Sequence, residues 1–395
     1  MKISQRTARI NPSITLGLNA RALELTRQGV DLIKLGVGEP DIDTPEVVCD
    51  AGRRAIDERK LRYTPTAGTA ELREAIGGYI KELYGLDYGP TEVIASSGAK
   101  HSLFNAIVAM TDPGDEVIIP APYWVSYPEM VGIADGVCVY LDTRKEDGFK
   151  VQPAALDAAI TPRTSVFFFN SPSNPTGAAY TLAELEALAE VLRGHDIWVL
   201  SDEIYSTILF DGFTFASMAQ VPGMRERTVV VNGVSKTFSM TGWRIGFAAG
   251  PESIVKAMTR LQDHSTSCPS APSQAAAAEA LRQGPGLTAD WVAALQPRRD
   301  LMLGLLEEIP GVDCPRPEGA FYLYADMGAW LAPHTGFKDT MALCEYLLID
   351  AGVVCVPGEA FGAPGFMRLS FAVDEATIRE GIRRIRVGLD AFKQE

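Results

Sequence analysis

The chain has 395 residues, 47% of them hydrophobic and 22% charged, the make-up of a folded globular protein rather than a disordered or fibrous one. Its 36 basic against 50 acidic side chains leave a net charge of −14, which disfavours nucleic-acid phosphates and anionic membranes as partners. The length predicts two to three domains.

In chain order, the first 45 residues carry no clear strand–helix rhythm and are read as a segment packed on a second domain or on another subunit. They hold charge but no apolar core of a signal peptide, and no apolar run reaches the ~20 residues of a membrane helix, so a cytoplasmic enzyme is expected. From residue 46 to about 285 short apolar runs alternate with helical patterns. Strands are predicted at Val93–Ala95, Glu116–Ile119, Val137–Tyr140, Ser165–Phe169, Ile197–Leu200, Thr228–Val231 and Ile245–Ala249. Several are apolar throughout, as in strands buried on both faces of a mostly parallel sheet. Helices are predicted at Lys100–Met110 and Leu182–Arg193, giving an α/β pattern. Gly284-Pro285-Gly286 breaks it. Residues 286–395 then read as a smaller α+β unit. It has a long helix from Thr288 to Glu308 containing Pro297, a strand at Ala320–Tyr324, a helix at Met341–Ala351, strands at Val353–Val356 and Met367–Phe371, and an amphipathic helix at Asp374–Phe392.

The six cysteines are scattered, form no C-x-x-C pair and are read as reduced thiols. The four histidines are isolated, and no zinc or calcium spacing occurs.

Chemistry concentrates where strands end. Lys236 follows the apolar run Val229–Val231, and open α/β sheets place their sites at such strand ends. A lysine desolvated there has a lowered pKa and can form a Schiff base. Arg244, eight residues on, suits a phosphate or carboxylate. Asp202 and Tyr205 follow the strand ending at Leu200, and Asn174 lies in the rigid turn Asn170–Gly177. Ser96-Ser97-Gly98-Ala99-Lys100 opens a helix with small residues, so backbone N–H groups could bind an anion. Each feature alone is compatible with a cap, a turn or a solvated charge. Together they suit a cofactor with a phosphate, a phenolic oxygen, a basic ring nitrogen and an aldehyde.

On these motifs, with Tyr63-Thr64-Pro65, Pro122–Pro128 and Met367-Arg368-Leu369-Ser370 in the same order, the chain resembles the class I aminotransferases of fold type I. It is more closely similar to the bacterial aspartate aminotransferase branch that includes aspartate/prephenate enzymes. The resemblance implies pyridoxal 5′-phosphate as cofactor and a large parallel-sheet domain with a smaller domain built from both chain ends. It implies that Lys236 binds the cofactor aldehyde and moves the substrate proton. Asp202 would pair with the ring nitrogen, Tyr205 and Asn174 with the ring oxygen, and Trp124 would stack on the ring. Arg244, Ser235 and the backbone of Gly98, Ala99 and Lys100 would surround the phosphate. Tyr63 would reach the phosphate of a neighbouring subunit, so a homodimer is implied. Arg368, with the backbone of Gly38, would take the substrate α-carboxylate.

The same resemblance implies that Lys100 and Thr15 read a distal carboxylate, because Asp263–Cys268 supplies no arginine for it. Aspartate and 2-oxoglutarate are the expected pair. Prephenate, an aromatic or neutral amino acid, or lyase chemistry on the same fold are the alternatives. Two departures stand out. Gly233 occupies a position where the wider family often has a phosphate-binding hydroxyl, and His264 has no counterpart. A hydrolase reading fails because Ser97–Lys100 fits S-x-x-K without its companion motifs, and a dehydrogenase reading fails because Gly36-Val37-Gly38 lacks the third glycine and a following helix.

Overall fold

The computed structural model describes residues 2–333 and 336–392, so the outermost residues of the first and last expected segments lie outside it. Its centre is a seven-stranded sheet, in the order 93–96, 246–249, 228–233, 198–202, 164–170, 116–121, 137–142. All predicted strands of this region form. The sheet is parallel except for Gly246–Ala249, which runs antiparallel to both neighbours.

Alternation along the strands explains why both faces are covered. Val166 and Phe168 point to one side, against Leu103 and Ile107 of the helix Ala99–Met110 and Met258 of the helix Glu252–Asp263. Phe167 and Phe169 point to the other, against Leu185, Leu188 and Leu192 of the helix Leu182–Arg193. Each such side chain contributes ~1.5–3 kcal/mol on burial, which holds both helical layers to the sheet. The helix Leu182–Arg193 starts where its sequence says. Thr181 accepts the Glu184 N–H, and the Glu184 carboxylate accepts the Thr181 N–H in return.

The remaining chain builds two small sheets. Val356–Pro357, Phe366–Ser370 and Tyr322–Asp326 form an antiparallel sheet. The expected single strand Val353–Val356 is split, because Val353–Val354 pairs instead with Ile33–Lys34 in parallel. The N-terminal segment is more regular than its sequence suggested, with a helix at Ile14–Arg27. That helix has a weak apolar stripe and buries only Ala22, so it left little periodic signal. Its N-cap is Ser13, whose hydroxyl accepts the Leu16 N–H, and Thr15 contacts Ser13 Oγ at 2.9 Å. The helix Ala289–Glu307 continues through Pro297. All six cysteines are free thiols. Among the described residues no helix is long and apolar enough to cross a membrane.

Candidate active site

Three parallel strands end side by side at the same edge of the large sheet. Asn170 lies opposite Asp202, and Asp202 lies opposite Val231, two residues before the strand's end. After Gly233 the chain makes one turn of helix, Val234–Thr237, passes through Thr241–Trp243, and returns as the antiparallel strand. Gly246 therefore sits between Ser96 and Gly233. A Cβ at 246 would overlap the backbone of Ala99, so only glycine lets the helix start come this close. This close approach joins the Lys236–Arg244 segment to the Ser97–Lys100 turn.

The result is a recess of about 320 Å³. Ala99, Lys100, Trp124, Asn174, Asp202 and Tyr205 line it from the large sheet, with Ser235, Lys236 and Arg244. Thr15, Gly38 and Arg368 close it from the other side. Gly98 lies just behind, with φ +91° and with the Arg244 guanidinium where a Cβ would stand. Tyr63 is not in this recess. It is 93% exposed and borders a separate surface groove with Leu61, Cys268 and Pro269. His264 is exposed at the end of the helix Glu252–Asp263 and does not line the recess.

Lys236 Nζ donates to Gly38 O at 2.5 Å. Burial lowers its amine to about 8, Arg368 and Arg244 push the same way, and Glu39 and Asp202 oppose them. Asp202 is 4% exposed and accepts the Tyr127 hydroxyl at 2.8 Å and the Ile204 N–H at 3.2 Å. Burial raises its carboxyl to about 6 against those two hydrogen bonds and the pull of Lys236. The next carboxyl, Glu203, belongs to a different environment. Its Oε1 accepts Ser201 Oγ and Ser217 Oγ at 2.9 and 2.6 Å, and burial raises it to about 8.

Arg368 comes from the small sheet and is 4% exposed. Its Nη1 donates to Asn174 Oδ1 at 2.8 Å and its Nη2 to Gly36 O at 2.9 Å, while its buried Nε has no partner among the described residues. Its guanidinium lies 4.3 Å from the Tyr322 ring centroid. Arg244 has φ +56° and donates to Thr241 O at 2.9 Å. The Ala99 and Lys100 N–H groups, at the start of their helix, have no acceptor among the described residues. Lys100 Nζ stands 4.7 Å from the Trp124 ring centroid, and burial, then Arg244, lowers its pKa.

Sequence reasoning missed Tyr322, whose hydroxyl is 2.9 Å from that of Tyr205 and whose ring supports Arg368. It also assigned no role to Tyr127, Gly36 or Glu39. Tyr127 had a signal, since it stands within the quoted Pro122–Pro128 motif; Tyr322 and Gly36 had none. Gly233 is explained locally. It pairs with Gly246, and a Cβ at 233 would meet Gly246 Cα at 3.0 Å.

The recess gathers a buried amine, a buried carboxyl and two arginines, Arg244 and Arg368, a set of charges that suits an anionic cofactor and an anionic substrate. Comparison with known proteins agrees. Residues 30–385 match the family model of aminotransferase class I and II. The aspartate/prephenate aminotransferase of Cereibacter sphaeroides is 48% identical, over 97% of this chain and 98% of its own length. The aspartate aminotransferase of Bacillus subtilis is 44% identical over 98% of each. Among solved structures, the Rhizobium meliloti aspartate aminotransferase superposes with a TM-score of 0.94 at 44% identity, covering 99% of each chain. The Thermus thermophilus aspartate aminotransferase with maleate superposes at 0.93 and 44% identity, covering 98% of this chain and all of that one.

The chain belongs to the class I and II aminotransferase family. It is an aminotransferase of the fold type I architecture, and its cofactor is pyridoxal 5′-phosphate. The site's own chemistry fits that group. Gly98 leaves open the face of Arg244, two helix-start N–H groups have no acceptor among the described residues, the Lys236 amine is lowered to about 8, and Asp202 accepts hydrogen bonds from neutral donors.

Proposed function

We propose that this enzyme transfers the amino group of aspartate to 2-oxoglutarate, and that the residues above divide the work as their surroundings dictate. The observation that carries the reading is that one recess is lined by Arg368, Lys100, Thr15 and the Lys236 amine together. Two cations around one amine suit a substrate with two carboxylates. The relatives named for aspartate, and the Thermus enzyme solved with the dicarboxylate maleate, support it.

In this reading Arg244, Ser235 and the N–H groups of Ala99 and Lys100 hold the phosphate, Gly98, whose own N–H is taken by Ser96 O, leaves room for Arg244, and Trp124 covers the ring. Asp202 keeps the ring nitrogen protonated, while Tyr205 and the Asn174 amide hold the ring oxygen. When bound, pyridoxal phosphate supplies an electron sink for the charge left on the substrate Cα. Arg368 and the Gly38 backbone fix the α-carboxylate, which sets the Cα–H bond towards Lys236. The Lys236 amine, its pKa lowered by burial to about 8, takes the Cα proton as base and returns it as acid. Residues 46–285 form the cofactor-holding unit, and residues 1–45 and 286–395 the smaller unit that brings Arg368. Tyr63, 93% exposed, reaches the phosphate of a second copy, so the working form is a homodimer.

The test is an absorbance spectrum of the holoenzyme with aspartate and, separately, alanine. Bleaching of the long-wavelength cofactor band by aspartate and not by alanine is the expected result. Equal bleaching by both would remove Lys100 and Thr15 as the selectors. No response to either would remove the amino-group transfer from these substrates.

A further inference from the structure

The helix that carries the free N–H groups has a histidine three residues past its N-cap, where a capping box has glutamate or glutamine. His101 Nδ1 accepts the backbone N–H of Ser97 at 3.3 Å. Gly98 N–H is taken by Ser96 O at 2.7 Å, and Gly98 O accepts the His101 and Ser102 N–H groups at 3.0 and 3.3 Å. With these contacts made, Ala99 and Lys100 N–H are the ones left open in this turn among the described residues.

The other ring nitrogen meets a donor too. His101 Nε2 is 3.2 Å from Asn105 Nδ2, and the orientation of that amide is set elsewhere. Gln262 Nε2 donates to Thr66 O and Ala95 O at 2.8 and 2.9 Å, so its Oε1 must be the acceptor. That Oε1 receives Ser96 Oγ at 2.7 Å and Asn105 Nδ2 at 3.2 Å. The imidazole therefore faces a donor on each side. A neutral ring can accept from one of them, and a protonated ring from neither. Lys100 on the same helix and Arg244 from the neighbouring turn border the same outer recess and oppose a charge on the ring. Glu129 of the helix Tyr127–Ile133, also bordering it, favours one, and Asp263 lies beyond Gln262, bound to Thr66. Burial itself pushes the imidazole below its ordinary value.

We propose that neutral His101 is a positioning residue for the cofactor phosphate: it ties down the Ser97–Gly98 turn so that Ala99 and Lys100 present their N–H groups, and its protonation releases the turn and weakens phosphate capture. The proposal rests on the phosphate reading given above. It concerns His101 alone, which touches neither the amine nor the carboxyl of the reaction centre.

The test is binding to the cofactor-free enzyme, read by tryptophan fluorescence from about pH 5 to about pH 7.5, a window that spans ordinary histidine titration. Pyridoxamine 5′-phosphate and pyridoxamine are titrated side by side. His101→Leu is expected to weaken the phosphorylated ligand about ten-fold at the neutral end, the effect of one hydrogen bond at a charged site, and to leave pyridoxamine unchanged. His101→Asn keeps an acceptor near the Nδ1 position and has no proton to gain. It is expected to keep neutral-pH affinity and to lack the acid loss that the native enzyme shows beyond the ligand's own phosphate titration. Unchanged phosphate affinity in His101→Leu, equal weakening of both ligands, or a native acid loss persisting in His101→Asn would overturn the proposal. If His101→Leu does not fold, the pH profile of His101→Asn decides alone. If the native enzyme shows no preference for the phosphorylated ligand and Arg244→Ala changes nothing, the phosphate reading itself falls, a result distinct from failure of the His101 variants.

Discussion

The large sheet and the small sheet reach the same recess by different routes. At the edge of the large sheet, Asp202 and Lys236 stand at or just past strand ends, and Asp202 is held by Ile204 N–H, two residues on, and by Tyr127 OH, 75 residues away. Arg368 stands mid-strand in the small sheet, and its partners Gly36 and Asn174 lie 332 and 194 residues away in the chain. The first region is a floor whose residues stand at strand ends of one sheet, although Lys236 also reaches Gly38 O, 198 residues away. The second is an arm whose geometry exists only when the N-terminal segment, the Asn170–Gly177 turn and the small sheet have all docked. The floor should therefore govern chemistry, and the arm should govern which substrate is held.

The largest expected effect lies on the floor. Lys236→Ala should lower turnover by about 10⁴-fold or more, since both proton transfers lose their carrier, while the thermal midpoint stays close to native. Near-native turnover in single-turnover experiments would erase the distinction between floor and arm. Next comes the arm. Arg368→Lys should cost about 100-fold in kcat/KM for aspartate and for alanine alike, because a lysine cannot keep Asn174, Gly36 and a bidentate carboxylate at once. A loss confined to aspartate would show that Arg368 reads the distal carboxylate instead.

A smaller, selective effect is expected at Lys100. Lys100→Ala should lower kcat/KM for aspartate about ten-fold to 100-fold and leave alanine within a few-fold, measured on the two donors in parallel. Tyr322→Phe removes the hydroxyl that meets Tyr205 and keeps the ring under Arg368, so a change of about five-fold in kcat is expected.

The pH behaviour of the cofactor-free chain sharpens the comparison further. Because only the neutral amine attacks an aldehyde, capture of pyridoxal phosphate should rise with pH through about 8, not through the ordinary lysine value of 10.5. Between those values the folded chain holds fewer protons at Lys236 than the unfolded chain, so the lysine's contribution to stability grows with rising pH and is lost as pH falls through about 8. Denaturant midpoints of the native and Lys236→Met proteins across this window read that difference; a constant difference would show that the amine is not desolvated.

Much of this was legible in the residues before any coordinates. Apolar runs such as Val229–Val231 and Phe167–Phe169 read as strands covered on both faces, and Lys236, Asp202 and Asn174 follow such strands by a few positions. Local rules act over those distances, so hydrophobic period and turn chemistry pointed to the α/β class, the strand positions and candidate residues at strand ends, while the roles of those residues came from the family resemblance. The helix Ile14–Arg27 escaped because it buries almost nothing, and the break between Val354 and Val356 escaped because pairing with Ile33–Lys34 is a choice between partners far apart in sequence. Only the tertiary structure decided that Gly36 O and Asn174 Oδ1 hold Arg368, that Tyr322 meets Tyr205, and that His101 lies between two donors. Hydrogen bonds of that kind carry no period and no local spacing. They are decided by which buried polar groups find partners once the sheets and helices have packed.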